Sequence, residues 1–180
     1  MIARQIGDRW REAVALGSLG VMYGALGRPD EAVDCYQQAL PIVREVGYRR
    51  AEAMNLLRLG ESRRGLRDFD EAIGYGHQAL AIFRELGDGY HEGMVLTNIG
   101  NACREVGRAE EAIDALEAAA RLHRDTGSRW GEGEALQFLG LALQCAQRTD
   151  EARACWQKAL RIFTDLGAPD AEDVQAFLGE

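Results

Sequence analysis

Long apolar runs are missing from this sequence. No stretch approaches the roughly 18 consecutive apolar residues that a membrane span needs, and Met1-Ile2-Ala3-Arg4 lacks the build of a secretion signal. The chain is therefore expected to be cytoplasmic and to have no membrane partner. Lysine is nearly absent: Lys158 stands alone, and arginine supplies 20 of the 21 basic residues. Against 29 acidic residues this leaves a formal charge of −8, the wrong sign for a phosphate-backbone partner, so direct nucleic-acid binding is not expected. Cys35, Cys103, Cys145 and Cys155 show no paired close spacing, and His77, His91 and His123 share no ligand set. That excludes a recognisable metal site or disulfide framework and leaves packing as the reading of the cysteines. There is no phosphate loop and no nucleophile elbow, and Ser18, Ser62 and Ser128 have no histidine in register. Neither catalysis nor a cofactor is expected.

What the sequence has instead is a period. Glycine recurs at Gly20, Gly60, Gly100 and Gly140, and in a second series at Gly7, Gly47, Gly87, Gly127 and Gly167. Self-similarity every forty residues marks stacked units, each too small to bury its apolar face alone. Leu16, Leu19, Tyr23 and Leu26 lie on one helical face, and Leu56, Leu96 and Leu136 repeat the first of them. A second stripe runs through Ala32, Ala39 and Ile42 and their equivalents forty residues on. Between the stripes, Gly27-Arg28-Pro29-Asp30 and its counterparts at 67–70, 107–110 and 147–150 read as tight helix-to-helix turns. Gly27 and Gly107 suit the left-handed residue after a helix end and Pro29 suits a first helical position, whereas Arg67 and Gln147 are weaker caps. The acidic pairs Asp30-Glu31, Asp70-Glu71, Glu110-Glu111 and Asp150-Glu151 fall where a helix macrodipole favours negative charge. Pro41 is expected to kink its helix, and Gly74 and Gly76 to weaken theirs.

The pattern Leu16, Leu19-Gly20, Tyr23, Ala32, Tyr36 and Ala39 resembles the tetratricopeptide repeat, with close approach expected between Gly20 and Ala32. The aromatic positions are uneven: Arg63, Cys103 and Leu143 stand where Tyr23 does, and Gly76 and Leu116 where Tyr36 does. The resemblance implies an all-α fold, a right-handed solenoid of antiparallel helix hairpins. Its units would be 8–47, 48–87, 88–127 and 128–167, preceded by the end of a truncated repeat at 1–7 and closed by a capping helix at 168–180 through Val174, Phe177 and Leu178. A forty-residue unit is similar to those of the Gα-binding polarity scaffolds and of the C-terminal arrays of bacterial signalling NTPases and transcriptional regulators. The arginine bias favours the bacterial comparison.

By the same resemblance the first helix of each unit lines a concave face. The registers that reach it are Val14, Gly17, Ser18, Val21 and Gly24; then Met54, Leu57, Arg58, Glu61 and Arg64; then Met94, Thr97, Asn98, Asn101 and Arg104; then Glu134, Gln137, Phe138, Leu141 and Gln144. The expected peptide-binding residues are Met54, Arg58, Glu61, Arg64, Met94, Asn98, Asn101 and Arg104. Side-chain amides both donate and accept toward a peptide main chain, guanidinium groups pair with carboxylates, and methionines adapt to apolar contact. The expected partner is a protein or peptide, acidic or amphipathic. Leu57, Met94, Thr97 and Glu134 stand where a chaperone-tail clamp would need lysine, so that ligand is not expected. These readings make the chain a non-catalytic interaction scaffold, the repeat arm of a larger bacterial regulator. The alternative is a spacer that self-associates through an uncapped N-terminal end at Ile2 and Ile6.

Overall fold

The turn residues cut the chain into helix pairs. The computed structural model describes the backbone of residues 2–179 and the side chains of residues 8–179. Its helices are α1 (Ile2–Ala25), α2 (Pro29–Val46), α3 (Arg49–Gly65), α4 (Phe69–Glu85), α5 (Gly89–Glu105), α6 (Ala109–Asp125), α7 (Arg129–Cys145), α8 (Thr149–Leu166) and α9 (Asp170–Leu178), with no strand among the described residues. The fold is all-α. No helix among the described residues is long and apolar enough to cross a membrane.

Two compact units form, Met1–Leu86 and Gly87–Glu180, divided at one of the period's glycines. Within the first unit α1 pairs with α2 and α3 with α4; within the second, α5 pairs with α6, α7 with α8, and α9 closes on α8. The ion pairs show that the partners are antiparallel, because an arginine at the start of one helix reaches the acidic end of the next. These pairs are Arg9 with Glu45, Arg49 with Glu85 and Arg129 with Asp165.

Helix ends follow the turn chemistry. The amides of Arg28, Asp68, Arg108 and Arg148 each bond the carbonyl five residues back, at 2.9 Å in all four turns. This Schellman closure needs a left-handed residue just before the bonded amide. Gly27 and Gly107 supply it with φ of 69° and 78°, and Arg67 and Gln147 are forced into the same region at 66° and 62°. The acidic pairs do occupy the first turns of α2, α4, α6 and α8. Pro29 opens α2, and α2 continues through the exposed Pro41 to Val46.

One expectation needs correction. The break predicted at Gly7-Asp8 does not occur, because α1 runs uninterrupted from Ile2 to Ala25. The side chains of Ile2 and Ile6, invoked for self-association, lie outside the described ones. At Gly20, where close approach to Ala32 is expected, the nearest atoms belong to the Tyr36 ring; a Cβ there would lie 2.6 Å from Tyr36 Cε1. The same position is filled by Leu116 at Gly100 and by Trp156 at Gly140. At Gly60, opposite Gly76, the nearest atom is instead backbone, the carbonyl oxygen of Ala72. The uneven aromatic positions thus set how each hairpin closes: a large side chain caps the glycine, or the helices themselves meet.

Core burial follows the two stripes. Leu56, Leu59, Ala79 and Phe83 are fully buried in the first unit and Val95, Leu116, Ala135 and Phe163 in the second. His123 joins them at 1% exposure, its ring occupying the space left by Gly93 and Gly131. Val174 and Leu178 of α9 are buried, and the exposed Phe177 ring lies 5.4 Å from that of Trp156.

Candidate functional site

In the first unit α1 and α3 barely touch, whereas in the second α5 and α7 lie close together. Sequence gives the reason. The inner side of α1 carries Gly17, Val21 and Gly24, and a Cβ on either glycine would meet nothing within 4 Å. Side chains too small to bridge to α3 leave a groove whose floor is Tyr36 of α2. Two adjoining cavities occupy it and share Val21, Tyr36 and Arg58. The larger, about 600 Å³, is lined also by Ala25, Pro29, Glu61 and Ser62. The smaller, about 260 Å³, adds Val14, Met54 and Asn55. The larger falls within the range of about 300–1,000 Å³ usual for ligand pockets.

Arg58 is the charged centre of this groove. Its Nη1 donates to Glu61 Oε2 at 2.7 Å, with both side chains partly buried. Burial works against the guanidinium charge, but Glu61, with a smaller contribution from Tyr36, outweighs it and holds the group above its ordinary value. The same burial pushes the Tyr36 phenol up, Arg58 opposing. Asn55 sits beside them at 9% exposure: its Nδ2 donates to the Ala51 carbonyl at 2.8 Å, while its buried Oδ1 has no partner. A buried unpaired acceptor costs about 1–3 kcal/mol, recoverable when a donor arrives. The groove therefore combines apolar walls, one guanidinium with spare donors and one amide oxygen seeking an N–H.

The residues read from sequence fall into three groups. Met54, Arg58 and Glu61 line this groove. Arg64, one turn on, is half-buried with its Nε unpartnered, and does not line either cavity. Met94, Asn98, Asn101 and Arg104 all stand on α5 in the second unit. There Asn101 is buried at 5%, and its Oδ1 accepts from Arg104 Nη2 at 2.9 Å, so only the amide NH₂ remains for a ligand. Arg104 also pairs with Glu105. Met94 and Asn98 are half-exposed. Leu57 and Thr97, placed on the concave face by register, instead point into the core at 2% and 3% exposure. Thr97 Oγ1 donates to the Gly93 carbonyl and lies 3.4 Å from His123 Nε2. Sequence reasoning passed over Asn55 and the floor residue Tyr36. Asn55 had a signal, being the one polar residue in a register otherwise held by Ala15, Val95 and Ala135.

The tetratricopeptide repeat profile matches residues 49–125 and again residues 13–42. The chain belongs to the tetratricopeptide repeat family. No curated protein matches it. Among solved structures, its repeats are similar to BtubC (BKLC) from P. vanneervenii, with 24% identity and a TM-score of 0.78 over 86% of this chain and 64% of that one. Aspartyl phosphate phosphatase F from Bacillus subtilis superposes with a TM-score of 0.86 at 17% identity, over 94% of this chain and 45% of that one. A Rap protein complexed with Competence and Sporulation Factor gives 0.81 at 19% identity, over 93% and 47%. The chain thus spans less than two thirds of each, and the likeness is one of fold. It shows the fold alone, and with the repeat matches it identifies the hairpins as tetratricopeptide hairpins.

Within that array Glu52 and Glu132 mark where one hairpin meets the next. Glu52 accepts from Arg44 of α2 at 2.8 Å and pairs with Arg49 at 2.6 Å. Burial works against its charge, but the two arginines hold the carboxyl below the usual range. Arg124 of α6 binds Glu132 of α7 in the same way, at 2.7 Å. These tetratricopeptide contacts are structural: they join helices and line neither cavity of the groove.

Proposed function

We propose that this chain is a non-catalytic scaffold that holds a peptide in the groove between α1 and α3, the peptide presenting a carboxylate to Arg58 and an apolar side chain to the cavity beside Val21 and Ala25. The observation that carries this reading is the cavity of about 600 Å³ with a partly buried guanidinium on its wall. A carboxylate arriving at Arg58 meets a charge whose desolvation is already largely accounted for in the folded state, and Arg58 has donors beyond the one given to Glu61. Asn55 Oδ1 supplies an acceptor for a peptide N–H. In the second unit, taken by itself, Met94, Asn98, Asn101 and Arg104 give α5 a peptide-binding role of its own, with Asn98 and the Asn101 amide meeting main-chain groups. The solved Rap protein carries Competence and Sporulation Factor, which supports a ligand-holding role for this fold. The near-total preference for arginine over lysine favours a bacterial regulator as the setting.

A random-peptide display selection against the chain tests this. Enriched sequences are expected to pair an acidic residue with a large apolar neighbour, and binding is expected to fall by about tenfold or more in Arg58→Glu, as for a central charged contact. Enrichment that ignores charge and survives Arg58→Glu would remove the groove as the site.

A further inference from the structure

The outer face of α1, which carries Glu12, Ala15, Leu19, Met22 and Leu26, is set apart from its equivalents elsewhere in the chain. Leu19 is 45% exposed, Met22 60% and Leu26 67%, whereas Leu59 and Leu139, in the register of Leu19, are 0% and 5% exposed. The equivalents are covered. In the first unit Pro29, at the start of α2, neighbours Gly65 at the end of α3, and Arg44 near the end of α2 binds Glu52 near the start of α3. So α2 runs antiparallel along α3 with its arginine on the glutamate. In the second unit α6 lies on α7 with Arg124 on Glu132 and the His123 ring over Gly131.

Charge completes the comparison. Glu52 is held by an arginine of its own helix, Arg49, and by one from the covering helix, Arg44. Glu12 has the first kind, Arg9 at 2.6 Å, and none of the second among the described residues; its side chain is 51% exposed. The face thus offers both halves of a recognition pattern that the chain uses twice internally: an apolar stripe, and a carboxylate placed for a cation from the facing helix. The exposed residues of α9 differ, with Glu172, Asp173 and Gln175 beside Phe177. Its carboxylates do not complement Glu12, which disfavours head-to-tail stacking of copies.

We infer that this face docks an amphipathic helix of about three to four turns, antiparallel to α1, whose apolar stripe covers Ala15, Leu19, Met22 and Leu26 and whose arginine, near its C-terminal end, pairs with Glu12. Recognition of this kind is helix-in-groove binding read at i, i+3 and i+7 positions. Neither Arg58 nor Glu61 takes part, so the proposal stands or falls separately from the peptide groove.

The probe is a fluorescein-labelled synthetic peptide with the sequence of residues 29–46, the helix that covers α3, titrated with the full chain by fluorescence anisotropy. Saturable binding is expected, weakened about tenfold or more by Leu19→Glu or Met22→Glu, as for a central interface contact. Glu12→Arg is expected to weaken it too, and a peptide carrying Arg44→Glu to restore binding to that variant. All three positions are exposed, and circular dichroism melts check that the variants keep their fold. Binding indifferent to the α1 substitutions would mean that the peptide displaces α2 from α3, and would overturn the proposal. No binding at millimolar peptide would also overturn it, as would sedimentation showing that Leu19 mediates self-association of the chain instead.

Discussion

Gln147 holds a left-handed backbone at φ 62° in a position where the corresponding turn of α5–α6 has Gly107 at 78°. The chain tolerates the strain because the amide of Arg148 must close on Leu143. A non-glycine residue in this region costs about 1–2 kcal/mol. Gln147→Gly removes that cost but enlarges the unfolded ensemble, at about 0.4–1 kcal/mol, so the net expected gain is about 0.5–1 kcal/mol. Gln147 is exposed and no side-chain contact is lost. Arg67 is a built-in comparison: its φ is 66°, but its guanidinium lies 5.6 Å from the centroid of the Phe69 ring. An exposed cation–π contact contributes about 0.5–1 kcal/mol, which cancels the gain, so Arg67→Gly is expected to be near neutral. Urea titrations followed by circular dichroism measure both. For a unit of this size the Gln147→Gly gain raises Tm by about 2–8 °C. A loss of stability in Gln147→Gly, or an equal gain in both variants, would refute the reasoning, the first by denying the strain and the second by denying the stacking.

Gly140→Ala is expected to destabilise by about 1–3 kcal/mol, because a Cβ there would sit 2.2 Å from Trp156 Nε1 and displace the ring from its 3.1 Å hydrogen bond to the Gln137 carbonyl. Gly74→Ala is expected to do the opposite, stabilising by about 0.5–1 kcal/mol, since its Cβ meets nothing within 4 Å and α4 gains helix propensity; thermal melts separate the two signs. Burial pushes the His123 imidazole below its ordinary value, with the Gly93 carbonyl and Glu132 acting the other way. The unfolded chain then takes up a proton near pH 6.5 that the folded chain resists, so stability is full above about pH 6.5 and falls as pH drops below it, by at most about 1.4 kcal/mol per pH unit. Urea midpoints from pH 8 to pH 5 are expected to decline less steeply in His123→Leu than in the parent chain, and parallel profiles would contradict this.

The hairpins were legible because glycines, acidic pairs and apolar stripes repeat in one register, and the helix ends at Gly27 and Gly107 follow directly from turn chemistry. Less legible was what each glycine is for. Gly20 makes room for Tyr36, while Gly93 and Gly131 make room for His123, an isolated histidine in the sequence and a core wedge in the fold. Such partners lie on another helix, and the period gives spacing along one helix only. The same limit explains the site. Arg58 and Glu61 share a register face that sequence can read, but Leu57 and Thr97, one position away, turn into the core because a helix advances about 100° per residue. Tyr36 reaches the groove from a neighbouring helix, and the groove itself exists because Gly17 and Gly24 put nothing in it. At Asn101 the side chain was read correctly as an amide, yet its oxygen is taken by Arg104 three residues on.

The groove between α1 and α3 as a binding site is tested most directly by filling it. Gly24→Leu places a side chain in the cavity of about 600 Å³, where the added Cβ meets nothing within 4 Å, and it leaves Arg58 and Glu61 untouched. Isothermal titration with a peptide enriched by display is expected to show affinity reduced by about tenfold or more in a chain that melts no lower than the parent, since leucine is the better helix former. Undiminished affinity in that variant would show that the peptide binds elsewhere.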